Sequence, residues 1–587
     1  MKIKQVFRCL LVAVLVLAAL PAEAQYGTRS KNKSYDRFSR RDAYGDVMHV
    51  RLRAPGTLRD EVNADDARKV RLLQIEGAIN DKDIEHIVSI AKRSHAYDDA
   101  DRRVDNYLDL DLEFARVESK GLFSSSNELR NGAFRYATHL RSVVLPDRMR
   151  SIPNEAFYGC GELEDVYMPP TVTTIGDRAF SGCGKLAYID LSRNLAVIGK
   201  EAFQYCRNLR NVYLPDGLEE IGNGAFSGTG LTRVDLPRSL RSLGSRAFAD
   251  SKLRELLIPR NCLVEGNDFG KMPQLERFDV EGGHPDLASE DGVLYNVEGT
   301  MLILMPQARG GQIMVPDGVA VIADNAFAGN ERITDVSLPE SITLIGRGAF
   351  EDCQRLVSVN IPDGVIAIAP QTFKGCKSLA RIALHDDIRA IGTQAFANSG
   401  LTEIVLPGGM TAVEASAFED CGRLANVGFA DGITSIGERA FKNCGLVALT
   451  LPANLQVIGK EAFRDCKALT LVTLPAATVE VGKEAFRGCK ACTLIELGEN
   501  VRTIGDNAFR ETAITMLSLP PSVTNIGKKI VEKCKSLERI DCHAMTPPQL
   551  EKASNEKIPL YVPAGSVPAY QTSKNWKGFK QINPLAN

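Results

Sequence analysis

The chain has a single tryptophan, Trp576, in 587 residues, and only seven histidines, none in a ligand-like pair. No HExxH, GxxxxGKS/T, GxSxG or GxGxxG segment occurs. The marks of a zinc protease, a P-loop nucleotide hydrolase, an α/β-hydrolase and a dinucleotide-binding domain are therefore missing. An excess of one charge sign is missing too, since the formal net charge is −2 and the charged fraction 25%. Without a basic excess or an acidic tail, nucleic acid is not an expected partner. No cofactor, no metal site and no catalytic residue is expected from these letters.

Long apolar runs are also absent, with one exception. Leu10 to Leu20 is unbroken apolar sequence, preceded by Lys2, Lys4 and Arg8 and followed by Pro21-Ala22-Glu23-Ala24. A basic start, a short apolar run and an A-x-A-like site before Gln25 read as a cleaved secretory signal peptide over 1–24. The run is too short for a membrane span. The nearby Cys9 lies on the wrong side of it for a lipid anchor. The mature chain is expected to be exported, to the extracellular space, the cell surface or the periplasm, with no membrane span.

Residues 25–45 carry Arg29, Lys31, Lys33, Arg37, Arg40 and Arg41. They read as a flexible basic arm, either a solvated linker or an electrostatic contact with an anionic cell surface. Residues 46–125 read as a strand, helix, strand cap. "VRLLQIEG" suits a strand, "NDKDIEHIVSIAKRS" has Ile84, Ile87, Val88 and Ala91 at helical spacing behind Asn80, and "LDLDLEFARV" alternates strictly. The acids Asp109, Asp111 and Glu113 follow from that alternation and do not call for a metal.

What the chain has in quantity is repetition. Ala-Phe, once Thr-Phe, ends at Phe134, Phe157, Phe180, Phe203, Phe226 and Phe248, then at Phe327, Phe350, Phe373, Phe396, Phe418, Phe441, Phe463, Phe486 and Phe509. Within each run the spacing is 22 or 23 residues. A fixed period of that size means a solenoid, in which each coil must stack on its neighbours to bury its own apolar edge. One unit reads L-x-x-V-x-L-P-x-x-L-x-x-I-G-x-x-A-F-x-x-C. The V-x-L part has period two and is a short strand, ended by Pro. Ile, Ala-Phe and Cys are spaced by three or four, which suits one turn of α or 3₁₀ helix. The expected fold is an α/β solenoid: a right-handed superhelix of leucine-rich repeats, with a parallel β-sheet on the concave face, short helical turns on the convex face and a cap at each end.

The repeats are expected over 126–260 and 317–540. A degenerate unit around Phe269 and a β-hairpin, two strands around Asn296–Gly299, fill 261–316, and 541–587 forms a C-terminal cap. Phe157, Phe180, Phe203, Phe226, Phe350, Phe441, Phe463 and Phe486 represent the repeat core. The Gly after Ile is replaced by Pro153, Ala323, Ala369 and Glu414 in other units, so it cannot require a positive φ throughout and serves close packing or an easy turn. Cys recurs three residues after Phe. Fourteen Cys less Cys9 leaves 13. Their position shares the core period, so buried thiols are expected, with a bridge between Cys534 and Cys542 as the main exception allowed.

Function should lie in the letters that do not repeat. Residues flanking the inward Val of each strand point outward. In the first run they include Tyr167, Tyr188, Asp190, Asn211, Tyr213 and Asp235, the candidate ligand-binding set. Tyrosine offers broad contact area with a polar tip, although it also simply favours strands. Asp190 and Asp235, two coils apart at about 10 Å, sit at the far edge of an inverting carboxylate pair. The same face in the second run (Ser337, Asn360, Ala383, Val405, Gly428, Thr450, Thr473, Glu496, Ser518) reads as a blander spacer.

The unit LP-x-x-L-x-x-IG-x-x-AF-x-x-C-x-x-L resembles the BspA-like (Treponema-type) leucine-rich repeat family, over about 126–540. The insert "DGVLYNVEGTMLILMP", the tail "PLYVPAGSVPAYQTSKNWKGFKQI" and the unit at 46–125 are also similar to elements of these proteins. The resemblance implies an exported or surface protein of bacteria, often Bacteroidetes, that is not an enzyme. It implies protein partners, in host extracellular matrix or on other bacterial surfaces, and adhesion as the activity. A glycan-binding or polysaccharide-degrading solenoid and a scaffold without a high-affinity ligand are the alternatives. The family has no shared catalytic residues to carry over.

Overall fold

A computed structural model describes residues 46–63, 66–92, 96–97, 103–104, 107–118, 127–551 and 557–586. The signal peptide and the basic arm read from the sequence lie outside the described residues.

The N-terminal unit starts the sheet on which the repeats stack. Strand Asp46–Leu52 pairs in parallel with Val70–Ile79, and the order continues through Leu108–Asp111 and Leu140–Val144 to Asp165–Tyr167. Helix Asp81–Ala91 is fixed at its start by a capping box. The Asn80 side chain accepts from Lys82 N at 2.9 Å, and Asp83 accepts from Asn80 N at 2.9 Å. Its Ile84, Ile87 and Ile90 are buried, as helical spacing requires. Alternation in "LDLDLEFARV" does not expose its acids. Asp109 and Asp111 are buried at 7% and 5% exposure. Asp109 accepts from Ser142 at 2.6 Å and pairs with Arg141, and Asp111 accepts from Gln74 at 3.0 Å. Strands Val70–Ile79 and Leu140–Val144 flank this one on either side, and each buried carboxylate needs, and has, a partner.

The repeats stack in three columns, the first of them hydrogen-bonded as strands only in some units. The first is the V-x-L strand. The second was not expected. The residue before Ile and the Ile itself form two-residue strands: Ser151–Ile152, Thr174–Ile175, Val197–Ile198, Glu220–Ile221, Ser242–Leu243 and Leu263–Val264 make one parallel six-stranded sheet. A seven-stranded sheet does the same from Ala412–Val413 to Gln549–Leu550. The Ile-Gly step, read as part of a helical turn, is thus the end of a strand. Its Gly lies in ordinary φ space, but a Cβ on Gly199 would sit 2.7 Å from Asp177 N, and on Gly222 2.7 Å from Lys200 N. Adjacent coils touch backbone to backbone there.

The third column runs through Ala-Phe. No continuous helix forms, because residues two before and two after Phe are left-handed, for example Glu155 (φ 57°) and Gly159 (φ 71°). The alternation sends every second amide to the next coil: Glu155 N to Asp177 O at 2.8 Å, Phe157 N to Ala179 O at 2.7 Å, Gly159 N to Ser181 O at 2.8 Å. The intervening amides close four-residue turns, such as Tyr158 N to Glu155 O at 3.1 Å. Inside the column the rings stack. Phe134 to Phe248 lie 5.2–5.5 Å apart in sequence order, with planes within 11°. Phe327 to Phe509 repeat the arrangement at 4.8–6.2 Å. All are buried.

The cysteines complete this column. All 13 in the described residues are buried and unbridged. Cys183 donates its S–H to Phe157 O at 3.2 Å and Cys206 to Phe180 O at 3.1 Å, and Cys353, Cys444 and Cys489 do the same to the Phe of the preceding unit. Where Thr replaces Cys, Thr229 and Thr512 bond the Phe carbonyl of their own unit. The position wants a small donor. Cys534 and Cys542 form no bridge: Cys534 meets Thr512 at 3.2 Å and Cys542 meets the Tyr570 hydroxyl at 3.2 Å.

Between the two runs the core divides. Two strands flank Asn296–Gly299, Val293–Asn296 and Met301–Leu304, and a third, Leu287–Glu290, precedes them in the same antiparallel meander. Its alternate residues serve different cores. Leu287, Leu294 and Ile303 pack with the first run. Val293, Tyr295, Leu302 and Met305 pack with the second. Gln307 bridges the join, accepting from Met272 N at 2.6 Å and donating to Ala328 O at 2.5 Å.

Candidate functional site

The V-x-L strand has fixed parity, and parity sets which side chains meet solvent. In successive units Val166, Ile189, Val212 and Val234 are buried. Their neighbours therefore face out in pairs: Asp165 and Tyr167, Tyr188 and Asp190, Asn211 and Tyr213, Arg233 and Asp235. Tyr188 is 57% exposed and Tyr213 52%, and Asp190, Asn211 and Asp235 are also exposed. Tyr167 is half-buried. All six sequence candidates thus lie on one face of four consecutive units.

The main chain under this face differs from its surroundings. The V-x-L ladder is formed up to Asp165–Tyr167 and again from Glu255–Ile258 to Arg277–Val280. Residues 188–190, 211–213 and 233–235 belong to no strand. The coils are held together mainly behind the face, by the Ile column and the Phe column, with Thr232 N to Arg210 O at 3.3 Å at its edge. The candidate side chains stand on buried Ile189, Val212 and Val234, so their placement comes from the core.

Charge on the face is mostly balanced along single strands. Arg233 pairs with Asp235 at 3.2 Å, Arg277 with Asp279 at 2.6 Å and Arg539 with Asp541 at 2.6 Å. The sequence reading passed over Arg233, although R-x-D on one strand face is a visible signal. Asp190 has Tyr188 where those strands have Arg. The Asp190/Asp235 pair considered for hydrolysis is unequal: Asp235 is ion-paired and open to solvent, with 80% of its side chain exposed.

Two other places bear on function. A cleft of about 640 Å³ on the turn side is lined by residues including Arg130, Arg135, Glu155, Arg178, Lys200 and Glu201. Several of its charges pair within it, Arg135 with Glu155 at 2.8 Å and Arg178 with Glu201 at 2.5 Å. The second-run face is also less bland than the alternation suggested. Leu471, Leu494 and Met516, at one place in three consecutive units, are 46%, 38% and 40% exposed. Among the described residues no group of His, Cys, Asp and Glu is arranged to hold a metal, and no helix is long and apolar enough to cross a membrane.

These columns of parallel strands and stacked turns define a leucine-rich repeat β-solenoid. The BspA type leucine rich repeat region model matches in six copies, over residues 127–261, 311–425 and 411–538, and the chain belongs to that family. Among solved structures it is similar to a leucine-rich repeat protein from Eubacterium ventriosum, at 22% identity over 64% of this chain and 84% of the other, with a TM-score of 0.40. A leucine rich cell surface protein from Faecalibacterium prausnitzii is 21% identical over 78% and 84%, with a TM-score of 0.34. A leucine-rich repeat protein from Bacteroides ovatus is 20% identical over 87% and 95%, also at 0.34. No curated protein matches the chain.

Proposed function

We propose that the chain is an exported interaction module, acting by adhesion and not by catalysis, that binds a protein through the V-x-L face of its first run. The observation that carries this is the grouping of Tyr188, Asp190, Asn211, Tyr213 and Asp235, exposed together on a scaffold held rigid from behind. Broad tyrosines among charges, fixed by a packed layer, suit protein recognition, where aromatic side chains carry much of the affinity. Export follows from the leader at 1–24. The partner class, a host matrix protein or a protein of another bacterial surface, follows from the family. In this reading the superhelix is right-handed, as parallel crossovers nearly always are, the V-x-L face is concave, the turns are convex and the terminal units at 46–125 and 541–587 are caps.

A second reading, a glycan-binding solenoid, is favoured by exposed Tyr rings beside Asp190 and Asn211, which could stack on a sugar and bond its hydroxyls. One experiment separates the readings. The mature chain and a variant with Tyr167, Tyr188 and Tyr213 changed to Ala are tested against immobilised fibronectin, immobilised fibrinogen and a glycan array. Binding to a protein that the variant loses supports the first reading, and to a glycan the second. Binding unchanged in the variant removes the tyrosine face from both. No binding by either chain favours a scaffold.

A further inference from the structure

We infer that the second run carries a binding site of its own, a row of cations along one edge that takes an anionic polysaccharide chain. The site lies apart from the tyrosine face and does not depend on it. The row follows from the repeat. One or two residues separate the Cys position from the next buried Leu, and in the second run that corner holds Arg355, Lys377, Arg423, Lys467, Lys490 and Lys535. No Asp or Glu stands at the corner in any unit from Gln354 to Ser536. All six cations are exposed, and among the described residues none of them is ion-paired. The coils are tied main chain to main chain at this corner: Ser378 N to Gln354 O at 3.1 Å, Gly400 N to Cys376 O at 3.0 Å and Ala491 N to Lys467 O at 3.3 Å. Where a unit is one residue shorter the corner is Gly445, whose Cβ would meet Gly422 O at 2.5 Å. The cations are therefore held in file, on coils that rise by about 4.8 Å each. From Cys353 to Cys534 the coils advance eight times, so the row is about 38 Å long.

The surroundings keep the row one charge wide. On the turn side, acids have cations of their own: Glu351 has Lys374 at 2.9 Å, Glu419 has Lys442 at 2.9 Å and Glu484 has Arg487 at 2.8 Å. On the strand side the next outward residue is Val, Ala or Thr in every unit from Val357 to Thr515, and becomes Glu538 only in the last. Val357, Val447, Thr470 and Thr493 are exposed in this neutral ledge. The far edge of the same face, just after the strand, is acidic, with Glu340, Asp363, Asp386, Asp431 and Glu499 exposed. A net charge of −2 conceals this separation. An anionic lipid surface is a plane, and it would rest on the acids of the turn side as well. Single-stranded nucleic acid is held by aromatic plates, and neither the row nor the ledge has one. A polysaccharide with carboxylates or sulfates at intervals along one chain fits a single file of cations. Four of the six are lysines, which meet an anion as a point charge and set no planar geometry. Sugar rings can lie on the ledge beside them, with hydroxyls against its threonines.

The test uses the full mature chain and labelled heparin, hyaluronan and neutral dextran, read by fluorescence anisotropy at low and at physiological salt. An anionic glycan should bind and dextran should not, with affinity falling at least about tenfold between the two salt conditions as counterions compete. Heparin alone makes sulfate the recognised anion, and hyaluronan makes it carboxylate. The triple variant Lys467→Gln, Lys490→Gln, Lys535→Gln should weaken binding about tenfold or more. A control triple, Arg148→Gln, Arg150→Gln, Arg193→Gln, removes the same charge from exposed positions off the row and should stay within about twofold. Both should keep the native urea midpoint, since the changed side chains are exposed and unpaired. Changing Tyr167, Tyr188 and Tyr213 to Ala should leave glycan binding intact, so this site and the tyrosine face fail separately. No binding of either anionic glycan at low salt, or equal losses in the row and control variants, overturns the inference. Tighter binding of polyglutamate, duplex DNA or phosphatidylserine-containing vesicles than of the glycans gives the row to another partner and also overturns it.

Discussion

Phe203→Ala is the sharpest perturbation of the architecture. The ring is fully buried and stacks on Phe180 and Phe226, each at 5.2 Å. Truncating a core Phe costs about 3–5 kcal/mol through lost transfer energy and an incompletely closed cavity. The two stacked pairs, at about 0.5–1.5 kcal/mol each beyond area burial, place this site in the upper half of that range, about 4–5 kcal/mol. Relaxation is restricted because the coils above and below are tied by main-chain bonds, Phe180 N to Ala202 O and Phe203 N to Ala225 O, both 2.7 Å. In a solenoid each repeat touches only its neighbours, so the loss should be local. Amide exchange by mass spectrometry, with urea unfolding alongside, reads both features. Protection should fall around 175–230 and remain around 435–490, behind the meander that divides the two cores. A loss below about 1 kcal/mol, or exchange rising equally along both runs, would refute the picture of a ring stack that carries load coil by coil.

Other outcomes follow from named contacts. A Cβ on Gly222 meets backbone at 2.7 Å, whereas none of its neighbours lies within 4 Å on Gly217; Gly222→Ala should cost about 1–3 kcal/mol by overpacking, and Gly217→Ala should leave the urea midpoint unchanged or slightly raised. Burial would push Glu461 up, but Arg439 and Arg464 outweigh it and hold the carboxyl below the usual range. A depressed acid contributes stability above its unfolded pKa, about 4.3 for Glu, and loses it as pH falls through the folded value. The urea midpoint of the native chain should therefore drop more steeply below about pH 4.3 than that of Glu461→Gln. Burial raises the Cys206 and Cys466 thiols to about 12. The folded mature chain, which lacks Cys9, should react slowly with a thiol reagent and show 13 thiols once denatured without reductant, and a lower count would mean bridges.

The Phe period was legible because the inward letters are nearly invariant, and one repeating letter at one spacing has one structural meaning. Which side chains share the face of Tyr167 to Asp235 was legible for the same reason, through the parity of a strand anchored by buried Val212 and Val234. The Ile-Gly strand was not, since Ile, Ala-Phe and Cys at spacings of three and four imitate a helical turn while two left-handed residues per coil forbid one. A signal existed: the residue two after Phe is Gly, Asp or Asn in many units (Gly159, Gly182, Asp250, Asp352, Asn398, Asp465), the types that tolerate positive φ. The residue two before Phe gave a weaker signal: Gly132, Gly224, Asn325, Gly348 and Asn507 carry it, but Glu155, Arg178, Glu201 and Gln371 adopt that φ under tertiary constraint. Whether a V-x-L ladder closes depends on how neighbouring coils tilt, and the letters at 188–190 and 255–258 do not record it. The second-run apolar column was overlooked because only one of the two outward positions was followed, Thr473 and Glu496 but not Leu471 and Leu494.

Hydroxyl-radical footprinting of tyrosines tests the central claim most directly, because the chain carries its own control. Tyr188 and Tyr213 are 57% and 52% exposed on the V-x-L face, and Tyr136 and Tyr205 are 46% and 51% exposed on the turn side. The mature chain is footprinted alone and with the protein that binds it in the matrix panel. Oxidation of Tyr188 and Tyr213 should fall on binding while Tyr136 and Tyr205 keep their rates. Protection of the turn-side pair with Tyr188 and Tyr213 unchanged would contradict the assignment of recognition to the unrepeated letters of the first run.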